Sequence, residues 1–409
     1  MEMKRRTSLL KLFTFFLIPF ILVQGCSSPK LQSREYDKVQ PGQQARTGSA
    51  AELTGQSADQ VPVQGTNTTE GTNSGQPGDA GQGTEINTGT GTAESRTKDP
   101  TTLPAIDVNA VKPNESGRVM VVMFHNFIKK YEKGDKLYTT TFDSFRKLLG
   151  TLYTSGYRLI SLNDYLNGNI DTPAGYIPMV FTFDDGTAGQ FNLIDESGAL
   201  KANPESAVGI MEEFARTHPD FGMKGTFFVN LGDKTFSGAG TLDQRLKYLI
   251  DEGFDIGNHT YSHINLKETV SADKIQQEIG GNQKKMYELI PGYAFTTFSL
   301  PYGAPSKALT QYVLKGEYEG VGYENKALME VGWDPNQSPF STKFNPMSVH
   351  RVRASGIIPQ DADLAWWMKS IKRSNEYVSD GNPSTVTVPE SYKDIVDTSK
   401  LGGRNLITY

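Results

Sequence analysis

The sequence predicts an α/β fold for the C-terminal part of the chain, a barrel of the β/α type preceded by a disordered linker. The first observation is a change of composition, since residues 41–100 contain no aromatic side chain and consist mainly of Gly, Thr, Gln, Ser, Asn and Ala. The second is an alternation of short apolar runs with amphipathic segments from about residue 117 onward. Such an alternation is typical of a mainly parallel sheet covered by helices.

The apolar runs predict about eight strands in this C-terminal part, which is the number expected of a barrel. They are residues 119–125, 157–161, 178–183, 225–229, 254–258, 294–299, 320–323 and 348–352. Helices are expected between them, for example at 141–155, where apolar residues recur at three- and four-residue steps and Thr141 can cap the first turn. In a barrel of this type, catalytic side chains collect at the C-terminal ends of the strands.

Composition excludes several classes of protein. The 409 residues carry a net charge of −5, whereas a nucleic-acid-binding protein usually has a basic surface. The only cysteine, Cys26, cannot form an intramolecular disulfide, and one thiol excludes a Cys-rich zinc site. No apolar run beyond the first thirty residues reaches the ~20 residues that span a bilayer.

The N-terminus predicts a lipoprotein signal peptide at residues 1–25. Lys4, Arg5 and Arg6 precede an apolar stretch at 12–23, and small residues then lead to Cys26. The segment Val23-Gln24-Gly25-Cys26 resembles the bacterial lipobox, in which cleavage before the cysteine leaves it to be lipidated. An uncleaved N-terminal anchor is the alternative interpretation. A lipid on Cys26 would hold the protein on the cell membrane, at the extracytoplasmic face.

Residues 26–115 are expected to form a disordered tether rich in Gly, Thr, Gln and Ser. Such a composition buries too little apolar surface to offset its conformational entropy. About 85 residues of this kind have an r.m.s. span of roughly 50 Å. The tether would let a membrane-anchored domain reach into a surrounding polymer layer.

Two groups of polar residues follow predicted strands. Asp184 and Asp185 end the apolar run at 178–183, where two adjacent carboxylates raise each other's pKa unless a cation is near. His259 and His263, two of the five histidines, follow the strand at 254–258. Each group alone has an ordinary explanation, an acidic turn or a coincidence of spacing. Together they indicate a catalytic metal site of two His and one carboxylate.

At these residues the chain resembles the NodB-type polysaccharide deacetylases, carbohydrate esterase family four. The blocks that carry the resemblance are Thr182-Phe183-Asp184-Asp185, Gly225-Thr226-Phe227-Phe228-Val229, His259-Thr260-Tyr261-Ser262-His263 and Leu300-Pro301-Tyr302-Gly303, after an opening strand that ends Met123-Phe124-His125. The resemblance extends over about 119–367. It implies a deformed (β/α) barrel of the NodB homology type at 116–375, with a C-terminal extension at 376–409, and metal-dependent removal of N-acetyl groups from amino sugars.

The resemblance also implies a role for individual residues. Asp184 would be the catalytic base, and Asp185, His259 and His263 would hold the metal. The backbone N–H of Tyr302 would stabilise the oxyanion, and His350, in a loose match to the family's last motif, would be the general acid. A structural role is the alternative for His350, and the match of residues 332–335 to another block is too loose to imply a role.

One departure from the family's pattern concerns the base. The third motif usually has an Arg that orients the base, but Ser299 stands at that position. A similar Arg-less motif occurs in the branch that acts on poly-β-1,6-N-acetylglucosamine, so its loss does not imply inactivity. Arg351 or Arg353 can supply a cation from another strand end, or both can be surface residues.

The leading hypothesis is a surface-tethered deacetylase of an amino-sugar polysaccharide, such as peptidoglycan, poly-N-acetylglucosamine or a chitin-like polymer. The N and O ligands favour one zinc ion, and cobalt, nickel or manganese also fit. An O-acetyl glycan esterase with the same site, a carbohydrate-binding pseudoenzyme and a solute-binding lipoprotein are the alternatives. We expect a monomer that binds its acetylated polysaccharide and, through Cys26, the membrane, but no nucleic acid.

Overall fold

The computed structural model describes residues 106–133, 136–232, 234–332, 334–355 and 362–409. The predicted signal peptide, the lipidation site at Cys26 and nearly all of the predicted tether lie outside these residues. The part of the chain that the structure describes falls within one compact unit. None of the helices in it is both long enough and apolar enough to cross a membrane.

The strands and helices alternate along much of the chain. The strands are β1 (Met120–Phe124), β2 (Asn126–Ile128), β3 (Thr139–Thr141), β4 (Tyr157–Leu159), β5 (Ile177–Asp184), β6 (Leu193–Glu196), β7 (Ala199–Ala202), β8 (Thr226–Val229), β9 (Asp255–Asn258), β10 (Thr297–Ser299), β11 (Lys315–Tyr318), β12 (Val321–Glu324), β13 (Ala327–Met329), β14 (Val352–Arg353), β15 (Thr385–Val388) and β16 (Asn405–Thr408). The α-helices are α1 (Val108–Val111), α2 (Phe142–Thr154), α3 (Leu162–Asn167), α4 (Ala207–Thr217), α5 (Leu242–Asp251), α6 (Ala272–Leu289), α7 (Thr310–Leu314) and α8 (Leu364–Ser370).

The main sheet is parallel and curls on itself. Its strands follow the order β13-β10-β9-β8-β5-β1-β14, and β4 pairs with the first residues of β5. Every neighbouring pair in this order is parallel. A further parallel bridge between Met329 and Val349 joins β13 to the residues just before β14. The two edges of the sheet therefore meet, and the fold is the predicted deformed (β/α) barrel.

Alternate strand residues pack on opposite sides of the sheet. Met120, Val122 and Phe124 belong to an outer cluster with buried residues of α2, α4 and α5. Val119 and Val121 belong to an inner cluster with barrel residues such as Val180, Phe228 and Val349. The helices cover the sheet because their apolar faces repeat as expected. In α2 the buried residues are Phe142, Phe145, Leu149 and Leu152, and the Thr141 hydroxyl caps the helix by accepting the Ser144 N–H.

The predicted strand at 320–323 does not belong to the barrel. Its residues form β12, which pairs antiparallel with β11 in a two-stranded hairpin. The barrel position belongs to β13, which pairs with β10 and which the apolar pattern did not reveal. β13 is only three residues long, so its apolar run is too short to stand out from the hairpin before it.

The C-terminal extension packs against the barrel. Its strands β15 and β16 pair in parallel, and Tyr377, Val386, Val388 and Val396 are buried in the inner cluster. Bridges from Glu376 and Val378 reach the chain just before β1, at Arg118 and Asn114. The extension therefore lies at the end of the barrel where β1 begins, away from the C-terminal strand ends.

Candidate active site

The predicted polar residues meet at the C-terminal ends of the parallel strands. Asp184 is the last residue of β5, His259 follows β9 directly, and Ser299 is the last residue of β10. Asp184 and His259 line a cavity of about 310 Å³, and Ser299 directly precedes another lining residue, Leu300. The residues that line it are His125, Asn126, Tyr138, Asp184, Asp185, His259, His263, Leu300, Pro301, Tyr302 and Val331.

Asp185, His259 and His263 bring three ligand atoms together. Asp185 Oδ1 lies 3.4 Å from His259 Nε2 and 3.3 Å from His263 Nε2. The ligand atoms of the three residues all lie within 4.8 Å of one another. Asp185 Oδ1 and His259 Nε2 are buried and have no hydrogen-bond partner among the described residues. Buried polar atoms are rarely left without partners, so this donor set fits a divalent cation.

A hydrogen bond fixes the ring of His259. Its Nδ1 donates to the backbone oxygen of Ser299 over 2.8 Å, which leaves the Nε2 lone pair directed at the ligand set. Burial by itself would lower the pKa of His259, but the carboxylates of Asp184 and Asp185 outweigh burial and raise that pKa. The two carboxylates therefore favour positive charge at this position.

Asp184 pairs with Arg351, which is fully buried. The two guanidinium nitrogens lie 2.8 Å from the two carboxylate oxygens of Asp184. Burial by itself would raise the pKa of Asp184, but the Arg351 charge, with His259 and His125, holds that pKa well below its ordinary value. Asp184 is therefore ionised at neutral pH and available as a base.

Arg351 supplies the cation that the third motif lacks. Its side chain donates to the Ser299 hydroxyl over 3.0 Å, and that hydroxyl donates to Asp184 over 3.1 Å. The Ser299 hydroxyl is therefore hydrogen-bonded to both members of the Asp184–Arg351 pair. Arg353, the other candidate, has its guanidinium 5.5 Å from the centre of the Tyr138 ring.

His125 faces Asp184 from the end of β1. Its Nε2 lies 3.7 Å from Asp184 Oδ2, and its ring packs on that of Tyr138 with centroids 4.7 Å apart. Burial lowers the pKa of His125 more than the nearby carboxylates raise it. Sequence reasoning gave this residue no role. The signal was its position, because it is one of five histidines and follows a predicted strand.

His350 does not lie with the other predicted residues. Its Nδ1 is 2.7 Å from Oδ1 of Asp334, whose other oxygen binds Arg118 over 3.0 Å. Neighbouring residues of an extended segment point to opposite sides, so Arg351 reaches Asp184 while His350 faces away. The structure thus brings together Asp184, Asp185, His259, His263 and Tyr302, and places His350 outside the cavity.

Tyr302 presents its backbone at the cavity. Its φ of 59° and the φ of 108° at Gly303 turn the chain sharply after Pro301. The ring packs against His263, with centroids 5.1 Å apart, and 60% of the residue is exposed. No described residue accepts a hydrogen bond from the Tyr302 N–H. This donor is therefore available to a bound group.

Backbone strain is concentrated in this cavity. Asp185, Thr260, His263 and Tyr302 all have φ between 52° and 81°, a region that residues with a Cβ rarely adopt. Such conformations cost on the order of 1–3 kcal/mol each and persist where the surroundings hold them. Their collection at one cavity indicates a functional site.

Seven of the eleven cavity-lining residues lie in a segment that matches a known family model. Residues 173–321 match the model of polysaccharide deacetylase, and this segment includes Asp184, Asp185, His259, His263 and Tyr302. The chain carries a polysaccharide deacetylase domain. It is a deacetylase enzyme by this domain, as the four sequence blocks implied. The match ends at residue 321, so Arg351, whose guanidinium pairs with Asp184, lies outside the matched segment.

Solved structures resemble the deacetylase domain at low sequence identity. A polysaccharide deacetylase from Bacillus cereus is 17% identical, with 63% of this chain and 70% of that chain covered and a TM-score of 0.46. A Streptococcus pyogenes deacetylase in complex with acetate is 15% identical, with 63% and 99% covered and a TM-score of 0.46. IcaB from Ammonifex degensii is 17% identical, with 58% and 92% covered and a TM-score of 0.43. No curated protein sequence matches the chain.

Proposed function

We propose that this chain is a metal-dependent hydrolase that removes N-acetyl groups from a cell-surface or extracellular amino-sugar polysaccharide. The observation that carries the proposal is the convergence of Asp185, His259 and His263 beside the ionised pair of Asp184 and Arg351. A glycan-binding protein needs no such donor set next to a base. Two imidazole nitrogens and a carboxylate favour zinc, and cobalt, nickel or manganese also suit these ligands.

Amide hydrolysis requires an activated water and a stabilised oxyanion. A divalent cation held by the three ligands supplies Lewis acidity, which lowers the pKa of water and polarises a carbonyl. Asp184 accepts the proton of the attacking water on a carboxylate oxygen, and Arg351 keeps that carboxylate ionised and oriented. The backbone N–H of Tyr302 donates to the carbonyl oxygen as it gains negative charge.

The leaving amine needs a proton, and His125 is placed to provide it. Its Nε2 is 3.7 Å from Asp184, so a proton accepted by the base can pass to the imidazole and then to the amine nitrogen. His350 was assigned this step by resemblance. Its ring is directed at Asp334 and away from the cavity, so we assign the step to His125.

We also propose that lipid on Cys26 holds the enzyme on the extracytoplasmic face of the cell membrane. The proposal rests on the sequence at 1–26, with a basic start, an apolar stretch and the only cysteine of the chain. An acetylated envelope polysaccharide would then lie within reach of a domain on a long tether.

Acetate release tests the function and the substrate. The full chain, loaded with zinc, is incubated with chitooligosaccharides, poly-β-1,6-N-acetylglucosamine, peptidoglycan and acetylated xylan, with the Asp184→Asn variant as the matched control. We expect acetate from at least one N-acetylated polymer and about 10²–10⁴-fold less from the control. Release from xylan alone would identify an O-acetyl esterase, and a zinc-loaded chain that releases no acetate would contradict the proposal.

A further inference from the structure

Helix α6 presents two buried polar side chains to the loop that carries the histidine ligands. Glu278 and Asn282 are one helical turn apart and lie on one face of α6. Glu278 is 2% exposed and Asn282 is fully buried. Buried charged and amide groups on a helix face are costly unless they have partners, so their contacts indicate what they hold.

The loop from His259 to His263 has an unfavourable backbone. Thr260 has a φ of 69° and His263 a φ of 52°, and neither residue is a glycine. A loop with two such residues in five keeps this shape only when neighbouring groups hold it. The two histidine rings pack against each other with centroids 4.8 Å apart, so the shape of the loop sets how their nitrogens converge.

Glu278 binds the middle of this loop through three hydrogen bonds. Its two carboxylate oxygens accept the N–H and the hydroxyl of Ser262, over 2.8 and 2.7 Å. Its backbone oxygen accepts the N–H of Tyr261 over 2.9 Å. The Lys274 ammonium, 2.8 Å from the same carboxylate, balances its charge. Glu278 therefore fixes the two residues that immediately precede His263.

Asn282 binds the start of the loop. Its amide donates to Asn258 Oδ1 over 2.9 Å, and that oxygen accepts the N–H of Thr260 over 2.9 Å. The amide also donates to the backbone oxygen of Val229, and its own oxygen accepts the N–H of Leu231, both over 2.8 Å. The start of the loop is thus tied to β8 and β9, which form the rigid part of the barrel.

The two histidines depend on these contacts to different degrees. His259 follows β9 and is fixed by its own hydrogen bond to Ser299. His263 stands at the far end of the loop with 33% of its side chain exposed, and its ring packs on those of His259 and Tyr302. The position of His263 is therefore set mainly by the backbone of residues 260–262, which Glu278 holds.

We propose that Glu278 is a positioning residue for the metal site, which acts through Ser262 to place His263 against Asp185. This inference rests on the proposed function, because it concerns the ligands of the proposed cation. Outer partners of metal ligands commonly contribute about 10- to 100-fold to metal affinity.

The test compares zinc affinity between two Glu→Gln variants of α6 in the full chain. Glu278→Gln keeps the size of the side chain but cannot accept both Ser262 hydrogens and the Lys274 charge. Glu288→Gln is the matched control, because Glu288 is about half exposed and pairs with Lys285 at the surface. We expect zinc affinity, measured by chelator competition, to fall about 10- to 100-fold in Glu278→Gln and to stay within twofold in the control.

A cobalt spectrum separates positioning from a merely structural role. Visible absorption of the cobalt-loaded chain reports the ligand geometry, and we expect it to change in Glu278→Gln. At saturating zinc, kcat should fall while KM changes little. A folded Glu278→Gln with wild-type zinc affinity and cobalt spectrum would overturn the inference, even if its thermal stability is lower.

Two further outcomes decide the inference. If Glu278→Gln does not fold, Ser262→Ala removes one of the same hydrogen bonds without altering α6; a several-fold loss of zinc affinity supports the inference, and an unchanged affinity overturns it. A wild-type chain that binds no zinc also overturns it. If the chain binds zinc but releases no acetate, the proposed function is contradicted, whereas the inference is not. The zinc affinities of the wild type and Glu278→Gln still test whether Glu278 positions the ligands.

Discussion

Asp184 and Arg351 are 167 positions apart in the sequence, yet their side chains form a buried pair with two parallel contacts. A carboxylate buried without such a partner would hold a proton at neutral pH and could not act as a base. The short side chain of Ser299 leaves the space that the guanidinium occupies. The departure from the family's motif is therefore compensated in space by a residue that is distant in the sequence and lies just before β14.

Replacing Arg351 by Met should impair catalysis mainly at low and neutral pH. Without the guanidinium, burial raises the pKa of Asp184, so the base becomes ionised only at higher pH. The acidic limb of the kcat/KM profile should move to higher pH, and activity at pH 7 should fall about 100-fold or more. The activity of Arg351→Lys at pH 7 should lie between those of the wild type and Arg351→Met, because lysine keeps the positive charge but cannot form two parallel hydrogen bonds to the carboxylate.

The matched control for this change is Arg353→Met. Arg353 is the last residue of β14, two positions after Arg351, and its guanidinium lies over the Tyr138 ring. Its pH profile should keep the wild-type acidic limb. An Arg351→Met profile that also keeps that limb would show that the charge of Asp184 does not depend on Arg351. Loss of one partner of a buried ion pair costs about 3–5 kcal/mol, so folding must be verified first.

Substitutions in the Asp184-Asp185 pair should separate the base from the ligand. Asp184→Asn keeps the volume of the side chain but cannot take a proton, so kcat should drop by about 10²–10⁴-fold with zinc affinity little altered. Asp185→Asn should weaken zinc binding first, and added zinc should restore part of its activity. The measurement is kcat for both variants at saturating zinc. Reversed results would exchange the two roles, and two active variants would contradict the hydrolase.

The sequence predicts those residues of the candidate site that directly follow a recognisable strand. Asp184, Asp185, His259 and His263 stand at strand ends, and parallel strands bring their ends to one edge. Arg351 was one of two candidate cations near the end of the predicted strand at 348–352, and only the folded structure shows that it is the one that reaches Asp184. No other polar residue near His125 in the sequence marks it as part of a site. Its role could be recognised only from the folded structure, in which it lies beside Asp184.

At the scale of elements, periodicity located the strands whose apolar runs are long and failed where a strand is short or a helix face is polar. β1, β5, β8 and β9 lie within or close to their predicted ranges. β13 was missed because a strand of three residues is too short to show a recognisable apolar run. Glu278 and Asn282 of α6 were missed because charged and amide residues on a helix predict an exposed face, and here they bind the loop of the ligands.

The contact between the C-terminal extension and the start of the barrel depends on a buried acid. Glu115 accepts hydrogen bonds from Thr387 N–H over 2.8 Å and from the Tyr377 hydroxyl over 3.1 Å. Burial and the nearby Asp380 carboxylate raise the pKa of Glu115 to about 8. Glu115 therefore binds its proton more tightly in the folded chain than in the unfolded chain.

Stability should fall as pH rises through this range. The contribution of Glu115 is fully present below the unfolded-state pKa near 4.5 and is lost as the pH approaches 8. The slope for one group is at most about 1.4 kcal/mol per pH unit. We expect the free energy of unfolding of the wild type, measured in urea and taken relative to Glu115→Gln, to decline between pH 5 and pH 8. A pH-independent difference would show that Glu115 does not titrate in this range.

At the scale of the whole molecule, the sequence predicts a membrane anchor joined to the enzyme by a flexible tether. The tether composition and the single cysteine carry this prediction; Cys26 and the tether up to residue 105 lie outside the described residues. The enzymatic unit itself is long enough to bury two large clusters, one on each side of the curled sheet. These two clusters stabilise the folded unit without any contribution from the predicted tether or anchor.

The anchor predicts a defined N-terminus and a defined location. In the native host the mature protein should begin at Cys26, carry lipid there and partition with membranes. Cys26→Ser should not be lipidated and should leave the membrane fraction, while acetate release per molecule should stay unchanged. Mass spectrometry of the mature N-terminus decides the matter, since an unmodified N-terminus elsewhere in the chain would contradict the prediction.

The pairing of Asp184 with Arg351 also affects when the enzyme can become active during its synthesis. A ribosome adds about 5–20 residues per second, so Arg351 is made on the order of ten to thirty seconds after Asp184. A growing chain that ends between His263 and Arg351 contains both carboxylates and both histidines but lacks the charge that keeps Asp184 ionised. Fragments that end before Arg351, whether nascent or made by proteolysis, should therefore lack deacetylase activity, even when they contain the whole segment that matches the family model.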